Sequence, residues 1–228
     1  SMNRVPVECD VAVCGGSMGG VAAAVAAARA GHRVCLTEET QWLGGQCTSQ
    51  GVSALDEHRY IEDFGGTALY YEFRDGVRAF YARYHQLTSE AQAAPYLNPG
   101  GGWVSRLCFE PRAALSAILD MTVPLIEQGR LEIHYGARPA RVAVRDGHAV
   151  LLSVDQPAYE RALDIRASYY LDATELGDLL PDSLVVRAYG SLQNNLLRDN
   201  IPNLSALNHA NGNDHGLASI NLPAGNGL

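Results

Sequence analysis

Small residues crowd one short stretch near the start of the chain, Gly15-Gly-Ser-Met-Gly-Gly20. Glycines turn sharply without a Cβ and let a bound group approach the backbone N–H groups, which suits phosphate binding. An acidic residue, Glu38, follows at about the spacing at which a carboxylate accepts hydrogen bonds from ribose hydroxyls. The chemistry predicted for these residues is therefore the binding of a pyrophosphate and a ribose.

The neighbouring residues predict the elements that would position this stretch. Residues 11–14 form a short apolar run typical of a buried parallel strand, and the alanine-rich residues 21–30 predict a helix that ends at Gly31. Residues 33–37 predict the next strand, with Glu38 at its end. A strand that leads into a helix directs the free N–H groups and positive dipole end of the helix at one point, which favours a pyrophosphate.

A serine replaces one glycine of the G-x-G-x-x-G pattern, which aligns with Gly15, Ser17 and Gly20. The Ser17 side chain must either tilt away from the phosphates or offer its hydroxyl as an extra donor, and we expect the second. The alternative to a dinucleotide site is an ordinary glycine turn in an α/β domain. The ordered succession of strand, turn, helix, strand and acid argues against it.

Composition narrows the class of protein. The chain has 228 residues, 47% hydrophobic residues and a net charge of −8, and it lacks a block rich in Lys and Arg, so nucleic acid is not expected as a partner. The longest apolar run is too short to span a bilayer, so no membrane association and a cytoplasmic location are expected. A small-molecule substrate is the expected partner, and a homo-oligomer is left open.

The cysteines and histidines do not predict a metal site. The five cysteines have neither C-x-x-C nor zinc-finger spacing, and His209 and His215 are not a metal signature. Cys14 and Cys35 fall in predicted buried strands, where cysteine behaves as a small hydrophobic residue.

The rest of the chain predicts further α/β elements. Helices are predicted over residues 67–85 and from Pro111 to about residue 128, strands over residues 131–135 and 163–171, and a hairpin over 141–154 that turns at Asp146-Gly147. The aromatic residues of the first of these helices are expected to pack in the core: Tyr70, Phe73, Tyr81 and Tyr84. The fold class predicted is α/β, with a parallel sheet and an inserted antiparallel β-meander.

Two regions are predicted. Residues 1–182 form the dinucleotide-binding domain, and residues 183–228 form an asparagine-rich tail or a shortened second lobe whose structure the pattern does not predict.

Three motifs together resemble the FAD-dependent oxidoreductase family of the glutathione-reductase-like flavoproteins. They are the glycine-rich stretch with Glu38, the segment Trp42-Leu-Gly-Gly-Gln46, and Tyr170-Leu-Asp-Ala-Thr174 followed by Gly177-Asp178. The resemblance covers roughly residues 7–181 and implies FAD, rather than NAD, in a Rossmann-like cleft. Family members are usually much longer than this chain.

The resemblance also implies which residues contact FAD. The pyrophosphate would lie over the glycine-rich turn, the AMP ribose on Glu38, the adenine at the backbone near Arg138, and the ribityl and ring side along the Gly-Gly-Gln loop. The implied cofactor residues are Gly15, Gly16, Ser17, Gly19, Gly20, Glu38, Leu43, Gly44, Gly45, Gln46, Arg138, Pro139, Ala173, Thr174, Gly177 and Asp178.

Catalytic residues are not assigned, and three are weak candidates. Cys47 follows the glycine pair as a redox-active cysteine does in disulfide reductases, but Val52 replaces the resolving thiol, so Cys47 is either a packed thiol or a reactive or flavin-linked one. Arg59 lies in a charged segment with Asp56, Glu57 and His58, which is either solvated or faces the ring. Arg106 is either a substrate clamp or part of a surface ion pair.

The function expected is an FAD-dependent oxidoreductase that transfers hydride from a small organic substrate to the flavin. Two alternatives remain at this stage. One is a truncated or diverged nucleotide-binding module without a complete active site, and the other is an NAD(P)-linked dehydrogenase. The substrate and the electron acceptor are not readable from the sequence.

Overall fold

The computed structural model describes residues 3–180. Its strands are β1 (Asn3–Glu8), β2 (Val11–Cys14), β3 (Val34–Glu38), β4 (Leu131–Tyr135), β5 (Arg138–Arg145), β6 (His148–Gln156), β7 (Arg161–Arg166) and β8 (Tyr169–Asp172). The α-helices are α1 (Met18–Arg29), α2 (Ala68–Tyr84), α3 (Ser89–Ala93) and α4 (Pro111–Glu127), and two short 3-10 helices span Gly45–Cys47 and Pro157–Tyr159. The asparagine-rich tail and both of its histidines lie outside the described residues.

A parallel sheet carries the glycine-rich turn. Its strand order is β4-β3-β2-β8, and every residue of β2 and β3 is buried. Both faces of these strands are covered, because α1 and α4 lie on one face of the sheet and the second sheet lies on the other. This agrees with the apolar residues 11–14 of β2 and 34–36 of β3. The α/β fold class predicted from the sequence is confirmed.

The second sheet has the order β1-β7-β6-β5. β5, β6 and β7 form the predicted antiparallel meander, and the β5–β6 turn has positive φ at both Asp146 (51°) and Gly147 (77°), as the Asp-Gly hairpin signal requires. β1 adds to the edge of this sheet parallel to β7, a strand that the sequence analysis did not predict. Its residues alternate between exposed and half-buried, so its apolar signal is weak.

The single strand predicted over residues 163–171 is wrong. The chain leaves β7 in the meander, turns through Ala167-Ser168 and enters β8 in the parallel sheet. The Tyr170 hydroxyl accepts a hydrogen bond from the Ala167 N–H (2.9 Å) and donates to the Ile165 carbonyl (3.2 Å), so its side chain spans this corner. The two residues between the strands include neither Gly nor Pro, which is why the change of sheet is invisible in the sequence.

The helices pack α4 between α1 and α2. α2 begins after Thr67, whose hydroxyl caps the N–H of Tyr70, and it buries Phe73 and Tyr81 as predicted. Tyr70 is half-buried, whereas the prediction of core packing was wrong for Tyr84, which is 62% exposed. Tyr84 is the last residue of α2, and its ring lies 5.1 Å from the Phe80 ring at a tilt of 53°.

Candidate cofactor-binding site

A cleft of about 860 Å³ lies at the carboxyl edge of the parallel sheet, where β2, β3 and β8 end. This is the edge at which ligands bind in open α/β sheets. The lining residues are Cys14, Gly15, Gly16, Ser17, Glu38, Glu39, Thr40, Gly45, Ser49, Gln50, Ala137, Pro139, Ala173, Thr174, Glu175, Leu176 and Asp178. We refer to this space as the edge cleft.

Gly15 turns the chain from β2 toward α1. Its φ of +99° is one that residues with a Cβ rarely adopt, and a Cβ at this position would overlap the Ala173 backbone. Gly20 lies one helical turn further on, where an added Cβ would overlap the Gly15 carbonyl oxygen. The two glycines let the start of α1 lie directly against the ends of β2 and β8.

The hydroxyl of Ser17 is used differently from our expectation. It accepts a hydrogen bond from the N–H of Gly20 (3.3 Å), which makes Ser17 the N-cap of α1, and it donates to the Ala173 carbonyl (3.2 Å). The hydroxyl proton is therefore directed at the end of β8 rather than at an approaching phosphate. The serine contributes to the site by fixing the helix start.

Glu38 is the most constrained side chain of the edge cleft. It is 8% exposed, and its two carboxylate oxygens accept from the N–H groups of Gly16 (2.9 Å) and Thr40 (2.7 Å). A carboxylate has about four acceptor positions, so acceptor capacity remains on the cleft side for hydroxyl donors. A ribose supplies such donors, and the residues present fit this half of an adenine dinucleotide.

The Gly-Gly-Gln loop is held by hydrogen bonds to neighbouring backbone. The Gly44 N–H donates to the Gly16 carbonyl (2.7 Å), and the Thr48 hydroxyl donates to the Leu43 carbonyl (2.6 Å). Leu43 and Cys47 are fully buried in the core beneath the loop. The loop consequently forms a fixed wall of the cleft.

Asp172 organises the opposite wall, a role that the sequence analysis missed. Its buried carboxylate accepts from the Thr174 N–H (3.0 Å), the Thr174 hydroxyl (2.6 Å) and the Leu179 N–H (2.9 Å). Thr174 in turn accepts from the Asp178 N–H (2.8 Å). The Asp-x-Thr spacing at a strand end is a turn signal that could have identified this role.

The side-chain charge of the edge cleft is negative. Glu38, Glu39, Glu175 and Asp178 line it, and among its described lining residues there is neither Lys nor Arg. A pyrophosphate here would therefore be met by backbone N–H groups and by the dipole at the start of α1 rather than by cationic side chains. The glycines that expose this backbone fit that role.

A second cleft, of about 1020 Å³, lies on the other side of the α1 start. Its lining is mainly apolar and comes from α1, α2, α4 and the loops between them: Met18, Gly19, Val21, Ala22, Gln46, Leu55, Asp56, Thr67, Leu69, Tyr70, Phe73, Ile118 and Met121. Ser17 and Gly45 line the edge cleft while their neighbours Met18 and Gln46 line this one, so the two clefts share a wall. We call it the apolar cleft.

The predicted cofactor residues divide between these spaces. Those in the edge cleft are Gly15, Gly16, Ser17, Glu38, Gly45, Pro139, Ala173, Thr174 and Asp178. Gly19 and Gln46 line the apolar cleft. Gly20, Leu43, Gly44, Arg138 and Gly177 support the walls without lining either space: Leu43 is buried, and the exposed Arg138 guanidinium lies 3.5 Å from the carboxylate of Glu39.

The three catalytic candidates do not converge on the edge cleft. Cys47 is fully buried, and burial raises the pKa of its thiol to about 12, so it is a packed thiol rather than a reactive one. Arg59 is exposed with its guanidinium 4.5 Å from the centre of the Tyr60 ring. Arg106 is exposed and lines neither cleft.

Of the two interpretations of the charged segment around Arg59, solvation does not hold for Glu57. The Glu57 side chain is 3% exposed and forms an ion pair with the buried Arg74. Its oxygens also accept from the hydroxyls of Tyr70 (2.6 Å) and Ser105 (2.8 Å). This contact secures the residue 51–66 loop to α2, so Glu57 holds one side of the apolar cleft in place.

Neither a metal site nor a membrane-spanning helix is found between residues 3 and 180. No group of three or more His, Cys, Asp and Glu side chains in that range could hold a metal ion. The helices of the same range are too short or too polar to cross a bilayer.

The profile of the FAD dependent oxidoreductase family matches residues 10–218. The all-trans-retinol 13,14-reductase of Macaca fascicularis is 43% identical over 56 residues, which is 25% of this chain and 9% of the reductase. The chain thus matches only a small part of that protein.

Two solved structures show the same kind of partial match. Adenylylsulfate reductase from Archaeoglobus fulgidus has a TM-score of 0.48 and 16% identity over 77% of this chain and 31% of its own. The 3-ketosteroid-delta4-(5alpha)-dehydrogenase from Rhodococcus jostii RHA1 has a TM-score of 0.41 and 17% identity over 74% of this chain and 46% of its own. Because the family profile covers most of the chain, including every element of the edge cleft, the chain belongs to the FAD dependent oxidoreductase family.

Proposed function

We propose that this chain carries the FAD-binding part of an oxidoreductase in which a small organic substrate transfers a hydride to the flavin. The observation that supports this most directly is the edge cleft, with a glycine turn, a helix start and a buried Glu38 at the ends of adjacent parallel strands. When bound, FAD supplies the capacity to accept a hydride and pass electrons to a second acceptor. The protein supplies binding and orientation.

Different residues are assigned to different parts of FAD. We assign the pyrophosphate to the space over the Gly15-Gly16 turn, where the first turn of α1 would supply the N–H donors, and the AMP ribose to Glu38. The N–H groups of Gly15 and Gly16 themselves donate to the Thr37 carbonyl (3.0 Å) and the Glu38 carboxylate (2.9 Å). The adenine end is assigned to the backbone at Pro139, which lines the edge cleft beside Ala137. Gly19 and Gln46 line the apolar cleft, which supports assigning the ring end of the elongated cofactor to the shared wall.

The apolar cleft suits the organic part of a substrate. It is lined by Leu55, Leu69, Phe73 and other apolar side chains, and it adjoins the wall assigned to the flavin ring. A water-poor surface beside the ring would favour hydride transfer over side reactions with solvent. The substrate itself and the final acceptor are not identified by this lining.

An NAD(P)-linked dehydrogenase is not favoured. A 2′-phosphate on the ribose would face the Glu38 carboxylate in a cleft whose described lining holds no cation, so NADP would be repelled. NAD lacks that phosphate, but the family match names FAD.

The test begins with the purified protein. We expect a yellow preparation with flavin absorption that releases FAD, identified by its mass, on denaturation. Anaerobic addition of a panel of amines, amino acids and alcohols should bleach the flavin when a substrate is included. A colourless protein that cannot be reconstituted with FAD would contradict the proposal and favour the alternative of a diverged module without a complete active site.

A further inference from the structure

Two cysteines that the proposed function does not use meet at the opposite edge of the parallel sheet. Cys9 lies between β1 and β2, and Cys35 is the second residue of β3. Both line a cleft of about 1090 Å³ that is also bordered by Arg33, Leu131 and Glu132. This cleft is at the amino ends of the strands, away from the edge cleft.

The backbone brings the two sulfurs together. The N–H groups of Asp10 (2.8 Å) and Val11 (3.2 Å) both donate to the Arg33 carbonyl, which holds the β1–β2 connection against the start of β3. Cys35 belongs to the apolar core between the two sheets, and Cys9 packs against that same core, so the side chains are on one face of the sheet. Both cysteines therefore face the same core and line the same cleft.

The two thiols have different environments. Cys9 is half-buried, whereas Cys35 is 1% exposed. The neighbouring Cys35 lowers the pKa of Cys9, burial opposes it, and the nearby Arg33 contributes further. The more accessible Cys9 is therefore the thiol that an oxidant can reach, and Cys35 is its buried neighbour.

We propose that Cys9 and Cys35 form an oxidative modification site, in which a hydroperoxide oxidises Cys9 and Cys35 then closes an intramolecular disulfide. The Cys9 thiolate attacks one peroxide oxygen and the O–O bond breaks, which gives a sulfenic acid and releases hydroxide. The Cys35 sulfur then attacks the sulfenic sulfur, and the sulfenic oxygen leaves as water with the thiol proton. Two electrons pass from the two sulfurs to the peroxide, which is reduced to water and hydroxide.

Other cysteines of the chain provide internal controls. Cys14 and Cys47 are buried, and burial raises the pKa of each to about 12. Neither lines the cleft that Cys9 and Cys35 share. A general susceptibility to peroxide would not discriminate among buried thiols, whereas the proposed site would be selective.

The experiment exposes the full chain to hydrogen peroxide and maps its thiols by mass spectrometry after alkylation. We expect loss of two of the five thiols, a protein about 2 Da lighter and a peptide that links Cys9 to Cys35. In the Cys35→Ala variant the sulfenic acid on Cys9 should persist and be trapped by dimedone. The Cys9→Ser variant should lose the linkage and slow oxidation of Cys35 at least about tenfold, while Cys47→Ala should behave as the unsubstituted chain.

The result in the unsubstituted chain decides the proposal, so it does not depend on the folding of a variant. Retention of all five thiols, a linkage that involves Cys14, Cys47 or Cys108 instead, or a link between two molecules would overturn it. Native alkylation of Cys9 at a rate no faster than that of Cys47 would do the same. None of these readouts requires bound FAD, so failure here is distinct from failure of the proposed function.

Discussion

Glu38 illustrates how one buried carboxylate organises a binding site at the scale of a single residue. Its oxygens join the turn before α1, through Gly16, to the loop after β3, through Thr40. Hydrogen bonds to a charged acceptor are stronger than those to a neutral one, so the site is largely formed before a ligand arrives. A ligand that meets a preformed site loses less affinity to ordering.

Replacement of Glu38 by Gln should weaken FAD binding. The amide NH₂ cannot accept the hydrogen bond of either Gly16 or Thr40, so one buried N–H loses its partner at a cost of about 1–3 kcal/mol. We expect the dissociation constant for FAD to rise at least about tenfold, measured by fluorescence titration of the apoprotein.

The matched control is Glu127→Gln, which makes the same charge change at an exposed position at the end of α4. It should leave FAD affinity unchanged. Equal affinity of the Glu38→Gln variant and the control would show that Glu38 does not bind the ribose.

Several single residues could be predicted from the sequence because backbone geometry dictates them. The position of Glu38 at the end of β3, beside the glycine-rich turn, follows from the spacing alone. The roles of Glu57 and Asp172 do not, because each depends on partners that are distant in sequence or on a turn that forms only in the folded chain. The Ser17 hydroxyl was assigned to a phosphate because its actual acceptor, Ala173, lies 156 residues away.

At the scale of the element, α1 depends on a glycine that a helix would ordinarily disfavour. An exposed helical Gly→Ala change gains about 1 kcal/mol in helix propensity. At Gly20 the added methyl group would overlap the Gly15 carbonyl and approach the Ala173 side chain at 3.1 Å. The start of α1 would have to move away from the strand ends.

We therefore expect Gly20→Ala to destabilise the protein by about 2 kcal/mol despite its better propensity, and to lower FAD affinity. Chemical denaturation and FAD titration measure the two effects. Ala26→Gly, at an exposed position of the same helix, should cost about 1 kcal/mol without changing FAD affinity. A stabilised Gly20→Ala protein would contradict the close contact.

Buried ion pairs between side chains attach α2 to the loop that precedes it. Arg74 pairs with Glu57 and Glu62, Glu62 also pairs with Arg78, and the Arg74 Nε is buried without a hydrogen-bond partner in the described residues. Burial opposes ionisation of Glu62, but Arg78 and Arg74 outweigh it and lower its pKa below the ordinary 4.5. Because the folded pKa is the lower one, ionised Glu62 stabilises the fold above pH 4.5, and this stabilisation is lost as the pH falls through the folded pKa.

The Glu62→Gln variant tests this pH dependence. Removal of one buried partner should cost about 2 kcal/mol near neutral pH, and the difference in melting temperature from the unsubstituted chain should shrink as the pH falls below about 4.5. Thermal melts from pH 3 to pH 7 measure it. A difference that stays constant over this range would show that Glu62 is not preferentially ionised in the fold.

At the scale of the whole molecule, the chain passes from the second sheet into the parallel sheet at the corner between β7 and β8. The pattern predicts strand over residues 163–171 but shows neither the break between β7 and β8 nor the change of sheet, because only two residues separate the strands and neither of them is Gly or Pro. Tertiary hydrogen bonds decide it: Ala173 N–H donates to the Cys14 carbonyl, and Tyr169 N–H to the Asp10 carbonyl. The edge cleft depends on this corner, since β8 supplies one of its walls.

Tyr170→Phe should weaken that corner. It removes a hydroxyl that bonds both the Ala167 N–H and the Ile165 carbonyl in a residue only 8% exposed. We expect a loss of about 1–2 kcal/mol in the free energy of unfolding. Tyr169→Phe, at a neighbour that is 71% exposed, should change it by less than about 0.5 kcal/mol. Equal stability of the two variants would rule out a role for the hydroxyl in joining the sheets.

The acidic lining of the edge cleft has a practical consequence. Dissolved ions weaken attraction between opposite charges, and they equally weaken repulsion between like ones. Four carboxylates line the edge cleft, and FAD would be bound there through uncharged backbone amides. Added sodium chloride should therefore not lower the affinity for FAD. A wash with concentrated salt on a column should leave the protein yellow. A flavoprotein that binds the FAD phosphates through arginine side chains should lose colour under the same wash.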